Sequence, residues 1–131
     1  MKNSEGDARR WLAQADVDLD IARLALEREF FAHACFMSQQ VDEKALAYYR
    51  GDRYVTGHSL LELLGKLTTT FPQLSKHKEF VGILDQYYVL TRYPDALAGG
   101  SPFEAYGLRQ AKEAVEGTGE IVEAVRSVIN E

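Results

Sequence analysis

The amino-acid sequence predicts an all-α protein, a single domain built as an up-and-down bundle of about five helices. Three observations carry that expectation. Apolar residues recur at steps of three and four over long stretches, which places them on one face of an α-helix. No stretch shows the alternation of a half-buried strand. The periodic stretches are separated by clusters of Gly, Pro and Thr, and because the links are mostly short, successive helices must pack antiparallel.

The first helix opens near Ser4, with Asp7 at capping distance, and Trp11, Ala15, Leu19, Ala22 and Leu26 form its buried stripe to about Glu27. Asp16, Asp18 and Asp20 fall on different sides of it and read as a solvated face rather than a converging metal site. A second helix over Phe30 to Arg50 is the stretch around which the chain is organised. Ala34, Met37, Val41, Ala45 and Tyr48 face its core, while Gln40 and Lys44 follow Phe36 one turn apart and Gln39 pairs with Glu43. Polar side chains therefore border the core, either as an ordinary helix margin with Lys44 snorkelling or as a polar-lined groove. Gly51 suits the left-handed cap that ends this helix.

Ser59 begins the third helix with Glu62 at the capping-box position, and Leu60, Leu61, Leu63, Leu64 and Leu67 supply its buried side. Thr68 to Pro72 stops it, through restricted threonine rotamers and the proline. The fourth helix is expected over Lys76 to Leu90, with Phe80, Leu84 and Tyr87 or Tyr88 inward, and Pro94 forces its end. From Arg92 to Ser101 the link is longer than most helix connections and so a place to look for function. Ser101-Pro102-x-Glu104 is a strong start for the fifth helix, which repeats at Ala114, Thr118, Ile121, Val125 and Val128. Gly107, Gly117 and Gly119 would each cost that helix roughly 1 kcal/mol against Ala, unless they permit a bend or close approach.

Composition bounds the function. The chain has 131 residues, 46% hydrophobic and 27% charged, which is one globular domain over residues 1–131 with a core over about 8–129. No apolar run nears the roughly 18 to 20 residues of a membrane span, and the N-terminus lacks the apolar stretch of a secretory signal. The expectation is a cytoplasmic protein with no membrane partner. Cys35, the single cysteine, reads as an inert core residue. A net charge of −5 argues against a broad basic face for coating long nucleic acid. Arg50 with Arg53, Lys66 with Lys76 and Lys78, and Arg92 leave room only for a phosphate or two. His33, His77 and Cys35 match no zinc pattern, and no Walker or dinucleotide glycine loop is present, so no metal and no cofactor is expected.

Two segments gather chemistry. His58 precedes the Ser59 helix start, where unpaired amides disfavour imidazolium, so it could accept or relay a proton or simply anchor its loop. Arg92-Tyr93-Pro94-Asp95 places a phosphate-capable guanidinium, a stacking ring, a stiffened turn and a carboxylate together, although Arg92 and Asp95 could equally pair to lock the loop. All seven tyrosines lie between residues 48 and 106, which suits a ligand groove or a protein interface.

Four segments also carry a resemblance. QQVDEKAL in the second helix, Trp11-Leu12-x-x-Ala15-Asp16-x-Asp18-Leu19 in the first, Gly57-His58-Ser59-Leu60 at the third, and Tyr87-Tyr88 followed by Thr91-Arg92-Tyr93-Pro94-Asp95 resemble, in order and spacing, the HEPN domain family, the nucleotide-binding domain of higher eukaryotes and prokaryotes. The resemblance covers about residues 8 to 129. It implies a helical bundle that forms homodimers, binds nucleotides or short RNA, and often partners a minimal nucleotidyltransferase in a toxin–antitoxin-like pair. Lys44, His58, Arg92, Tyr93 and Asp95 would then line one ligand groove. Many family members are instead metal-independent endoribonucleases that use an Arg and a His four to six residues apart. Arg53 and His58 match that spacing, but they follow the second helix, whereas the family motif belongs near the later helices, and no histidine follows Arg92. The expected role is accordingly binding rather than catalysis, with the ribonuclease and a ligand-free structural homodimer as alternatives.

Overall fold

The computed structural model describes residues 4–48, 59–87 and 99–129, and among them every regular element is helical. Helix α1 spans Ser4–Glu27 and α2 spans Phe31–Tyr48. Helix α3 spans Leu60–Thr68, a 3-10 helix over Pro72–His77 leads into α4 at Lys78–Asp85, and the one-turn α5 at Pro102–Ala105 precedes the long α6 at Leu108–Ile129. Arg53, His58, Arg92, Tyr93 and Asp95, like the Gly51 cap, lie outside the described residues.

Helix α2 is the hub. Helices α1 and α6 pack against it and against each other, while the α3–α4 hairpin and α5 cover its remaining sides. The core is one continuous cluster, drawn from Leu12, Leu19, Val41, Leu46, Leu67, Leu84, Ile121 and Val125 among others. The turn between α1 and α2 is tight and contains no glycine. Phe30 N–H donates to Ala25 O at 2.8 Å and Arg28 N–H to Leu24 O at 3.0 Å, with Glu29 in the left-handed region at φ 66°. So short a turn reverses the chain, and α1 and α2 form the expected antiparallel pair.

The elements differ from the sequence expectation in four places. Leu12 rather than Trp11 enters the core of α1, and Trp11 stays at its margin, 36% exposed. Leu61 is exposed and Leu60, Leu63, Leu64 and Leu67 bury the α3 face, because a nine-residue helix packed on α2, the 3-10 helix and α4 turns one stripe inward and leaves Leu61 at the rim beside Gly82. Pro72 starts a 3-10 helix, so α4 proper opens at Lys78 rather than Lys76. The fifth helix is split: Ser101 caps a single turn through the expected Glu104 box, extended backbone at Tyr106 interrupts it, and α6 restarts at Leu108. Tyr106 is buried at that break.

Gly117 explains part of the glycine content of α6. A Cβ there would lie 2.9 Å from Phe80 Cδ1 and closer still to other atoms of the ring, whereas a Cβ on Gly65 of α3 meets nothing within 4 Å. Both positions gain roughly 1 kcal/mol of helix propensity on going to Ala, but overpacking at a ring typically costs about 1–3 kcal/mol. Gly65→Ala should therefore stabilise the fold by about 0.5–1 kcal/mol. Gly117→Ala should destabilise it by about 1–2 kcal/mol, as measured by denaturant unfolding, and a stabilised Gly117→Ala would show that Phe80 moves aside freely.

Candidate functional site

The polar side chains of α2 are drawn inward by its central position. Lys44 Nζ forms a close ion pair with Asp18 Oδ2 of α1, and Gln14 Nε2 donates to the other carboxylate oxygen of Asp18 at 3.1 Å. Asp18 is almost fully buried, not part of a solvated face. Its neighbour Asp16 reaches α6, accepting from Arg126 at 2.7 Å, and Asp20 pairs with Arg23 along the helix. Lys44 thus spends one of its three donors on joining α1 to α2 and keeps part of its ammonium in solvent, its side chain 29% exposed.

One turn back, Ser38, Gln39 and Asp42 are fully buried. Ser38 returns its hydroxyl to Ala34 O at 2.8 Å, and Gln39 accepts from Gln40 Nε2 at 2.6 Å. Thr118 of α6 joins this group, its hydroxyl 3.3 Å from Asp42 Oδ2 and 3.4 Å from Ser38 O. The second Asp42 oxygen, Oδ1, has no hydrogen-bond partner. Burial pushes the Asp42 carboxyl well above its ordinary value, with the Thr118 hydroxyl acting in the other direction. A protonated Asp42 can donate to Thr118, which in turn donates to Ser38 O, and this leaves a neutral junction between α2 and α6.

That junction gives a stability–pH relation of defined sign. The folded chain holds the Asp42 proton more tightly than the unfolded chain, so stability falls as pH rises from the unfolded value of 3.8 until the folded value is passed. Asp42→Asn removes the titration and keeps the shape. Urea unfolding should find the variant more stable than wild type near about pH 7, with a margin that shrinks toward about pH 4. A margin independent of pH would show that Asp42 is not protonated in the fold.

The start of α3 is built from two parts of the chain. Ser59 is the N-cap and accepts from Glu62 N–H at 3.2 Å. Asp85, the last residue of α4, takes the two amides before it: Leu60 N–H donates to Oδ1 at 2.6 Å and Leu61 N–H to Oδ2 at 3.1 Å. The Ser59 hydroxyl stands 3.5 Å from the same Oδ2. With Leu63 N–H on Ser59 O, every amide of the first turn has a partner. The amides of this helix start are therefore already engaged, those of Leu60 and Leu61 by a carboxylate.

Two residues beyond Asp85, Tyr87 meets Tyr106 edge-on, with ring centroids 5.4 Å apart and planes at 90°. Burial, reinforced by Cys35 and Tyr87, pushes the Tyr106 phenol up to about 12, and burial alone pushes the Cys35 thiol up to about 12. Neither is a nucleophile near neutrality, which agrees with Cys35 as an inert core residue.

A separate open cleft of about 970 Å³ lies between α1, the 3-10 helix and α6. Carboxylates outnumber cations on its walls, where Asp16, Glu116 and Glu120 face Arg23 and Lys76, so it does not suit a phosphate. His77 sits at its edge with Nε2 buried and unpartnered, and burial followed by Lys76 lowers its pKa against an opposing pull from Glu120. Among the described residues no three His, Cys, Asp or Glu side chains gather so as to hold a metal ion, and no helix is long and apolar enough to cross a membrane.

This arrangement of a central helix, an α3–α4 hairpin and a long closing helix agrees with what family models of the sequence find. The model of the HEPN domain matches residues 8–128. The chain belongs to the HEPN family. Solved structures agree: TT1696 from Thermus thermophilus is 36% identical with a TM-score of 0.84, over 92% of this chain and 96% of that one. ST0689, an archaeal HEPN homologue, is 32% identical with a TM-score of 0.74, over 98% of this chain and 99% of that one. No curated protein matches the chain.

Of the five residues expected to line a HEPN ligand groove, only Lys44 falls among the described residues. The sequence alone does not mark Asp18, Asp42 and Asp85 as the partners that organise the polar interior. For Asp85 a signal exists: a carboxylate at a helix C-terminus opposes the macrodipole of its own helix and so implies a partner elsewhere.

Proposed function

We propose that this HEPN chain is a nucleotide- or short-RNA-binding module that acts as a homodimer and as the partner of a minimal nucleotidyltransferase in a toxin–antitoxin-like pair. The observation that carries the reading is the HEPN match over residues 8–128, which spans every position expected to meet the ligand. Lys44, His58, Arg92, Tyr93 and Asp95 are the ligand-binding residues in this reading. Arg92 takes a phosphate by paired hydrogen bonds, Tyr93 stacks on a base, and Lys44 offers its remaining donors at the groove margin. The acidic balance of −5 favours a short ligand and a protein partner over long RNA.

Binding is tested by fluorescence anisotropy with a short labelled single-stranded RNA, with ATP as competitor. Loss of a charge-assisted pair is typically worth about 1.5–3 kcal/mol, so Arg92→Ala should weaken binding by about 10- to 100-fold. Equal binding by wild type and Arg92→Ala would remove Arg92 from the site. The same samples, resolved by gel, test the endoribonuclease alternative. Cleavage that Arg53→Ala and His58→Ala both abolish would replace the binding reading with catalysis by that pair.

Self-association has a surface that supports it. Val17, Ile21 and Leu24 stand on the face of α1 opposite its core, 54%, 47% and 53% exposed. In the homodimer reading this stripe meets its counterpart on a second copy. Ile21→Glu should then convert the dimer to a monomer in sedimentation velocity. A wild type that sediments as a monomer at high micromolar concentration would end the homodimer reading.

A further inference from the structure

The open cleft between α1, the 3-10 helix and α6 has no part in the reading above, yet at about 970 Å³ it is large enough for a small ligand. Its charges divide into those the fold uses and those it leaves open. At one end Asp16 of α1 and Glu123 of α6 share the guanidinium of Arg126, at 2.7 and 3.4 Å. Further along α6, Glu116 and Glu120 stand one turn apart and both line the cleft. Lys76 lines it from the 3-10 helix and Arg23 from α1. Among the described residues nothing forms a hydrogen bond or ion pair with Glu116, Glu120 or Lys76. Arg23 meets Asp20 at 3.3 Å, but both are exposed and such a pair holds weakly. Its guanidinium reaches across to α6, where a Cβ on Gly119 would lie 3.6 Å from Nη2. Burial and Lys76 lower the His77 pKa, so near about pH 7 the cations of the cleft are Lys76 and Arg23. Buried Leu19 and half-buried Ala124 give it apolar surface between the charges.

An anion alone would meet the two glutamates, and a cation alone would leave Lys76 unanswered. A molecule with a cationic group and a carboxylate joined by a few methylenes satisfies both signs. We propose that this cleft binds a basic amino acid, free or as the last residue of a peptide, with its side-chain cation at Glu116 and Glu120, its carboxylate toward Lys76 and Arg23, and its methylenes over Leu19 and Ala124. The fold itself displays the first of these contacts, since Arg126 is one guanidinium shared by two carboxylates. None of the residues expected to meet a nucleotide or RNA takes part, so this site stands or falls independently of that reading.

The test titrates the protein with L-arginine, with agmatine, which lacks the carboxylate, and with citrulline, which lacks the side-chain charge, and follows backbone amide signals by NMR. Arginine should shift the signals of Gly119 and Glu120 saturably, and agmatine and citrulline should each bind about five- to tenfold more weakly. Agmatine carries the larger positive charge, so a merely acidic surface would bind it more tightly than arginine. The double variant Glu116→Gln with Glu120→Gln, and separately Lys76→Ala, change exposed side chains and should each weaken arginine binding about fivefold while leaving signals far from the cleft in place. The tripeptide Gly-Gly-Arg separates the two sources: binding tighter than that of arginine assigns the cleft to a peptide end, and binding no tighter assigns it to the free amino acid. No saturable shift with either arginine or the tripeptide at about 20 mM, agmatine binding as tightly as arginine, or arginine binding unchanged in either variant overturns the proposal.

Discussion

Much of this fold follows from α2 being packed on by every other long helix. Helix α1, helix α6 and the α3–α4 hairpin cover most of it, so its buried polar residues must find partners, on a neighbouring helix or within α2 itself, or have their charged form disfavoured. Lys44 finds Asp18; Ser38 and Gln40 bond within α2; and for Asp42 beside Thr118 burial raises the pKa. These contacts do not make the core more stable than an apolar one would be, since desolvation offsets much of their attraction. They do fix how the helices register. The ion pair joins α1 to α2 and the Thr118 hydroxyl joins α2 to α6, each contact directional where leucine on alanine is not.

The bundle is legible in the sequence because most of its helices bury one clean stripe. In α6 the residues at 114, 118, 121, 125 and 128 are all buried, as their spacing predicts, and in α3 four leucines on one face suffice. Helix α1 is harder because it is apolar on two faces: Val17, Ile21 and Leu24 compete with Leu12, Ala15 and Leu19 for the same pattern, and Trp11 fits the periodicity without entering the core. The break at Tyr106 is hidden for a different reason. Gly107 weakens the helix there and Gln110 Oε1 accepts its N–H at 3.1 Å, but it is the buried Tyr106, packed edge-on against Tyr87, that decides between a break and a costly continuous helix.

The polar interior is the least legible part. Asp18 and Lys44 are 26 positions apart, Asp42 and Thr118 are 76, and no periodicity links residues on different helices. Read singly, Asp18 is one of three acids on a surface helix, and Asp42 is one letter in a polar run. Only the tertiary arrangement reveals that the first anchors a lysine and that the second is buried against Thr118, where burial raises its pKa. Family resemblance, by contrast, is readable from four short segments, because a family pattern records tertiary constraints that a lone sequence cannot display.

The position of α6 also bears on how the chain reaches this state. Helices α1 and α2 are neighbours in sequence and pair across a three-residue turn, so they can meet early and cheaply in loop entropy. The groove they form, however, is closed by a helix from the other end of the chain. During synthesis the α1–α2 hairpin therefore emerges before the helix that covers its seam. The Thr118 hydroxyl that Asp42 meets in the finished fold is supplied only when that last helix docks, so the polar contact and the apolar seam close in one step.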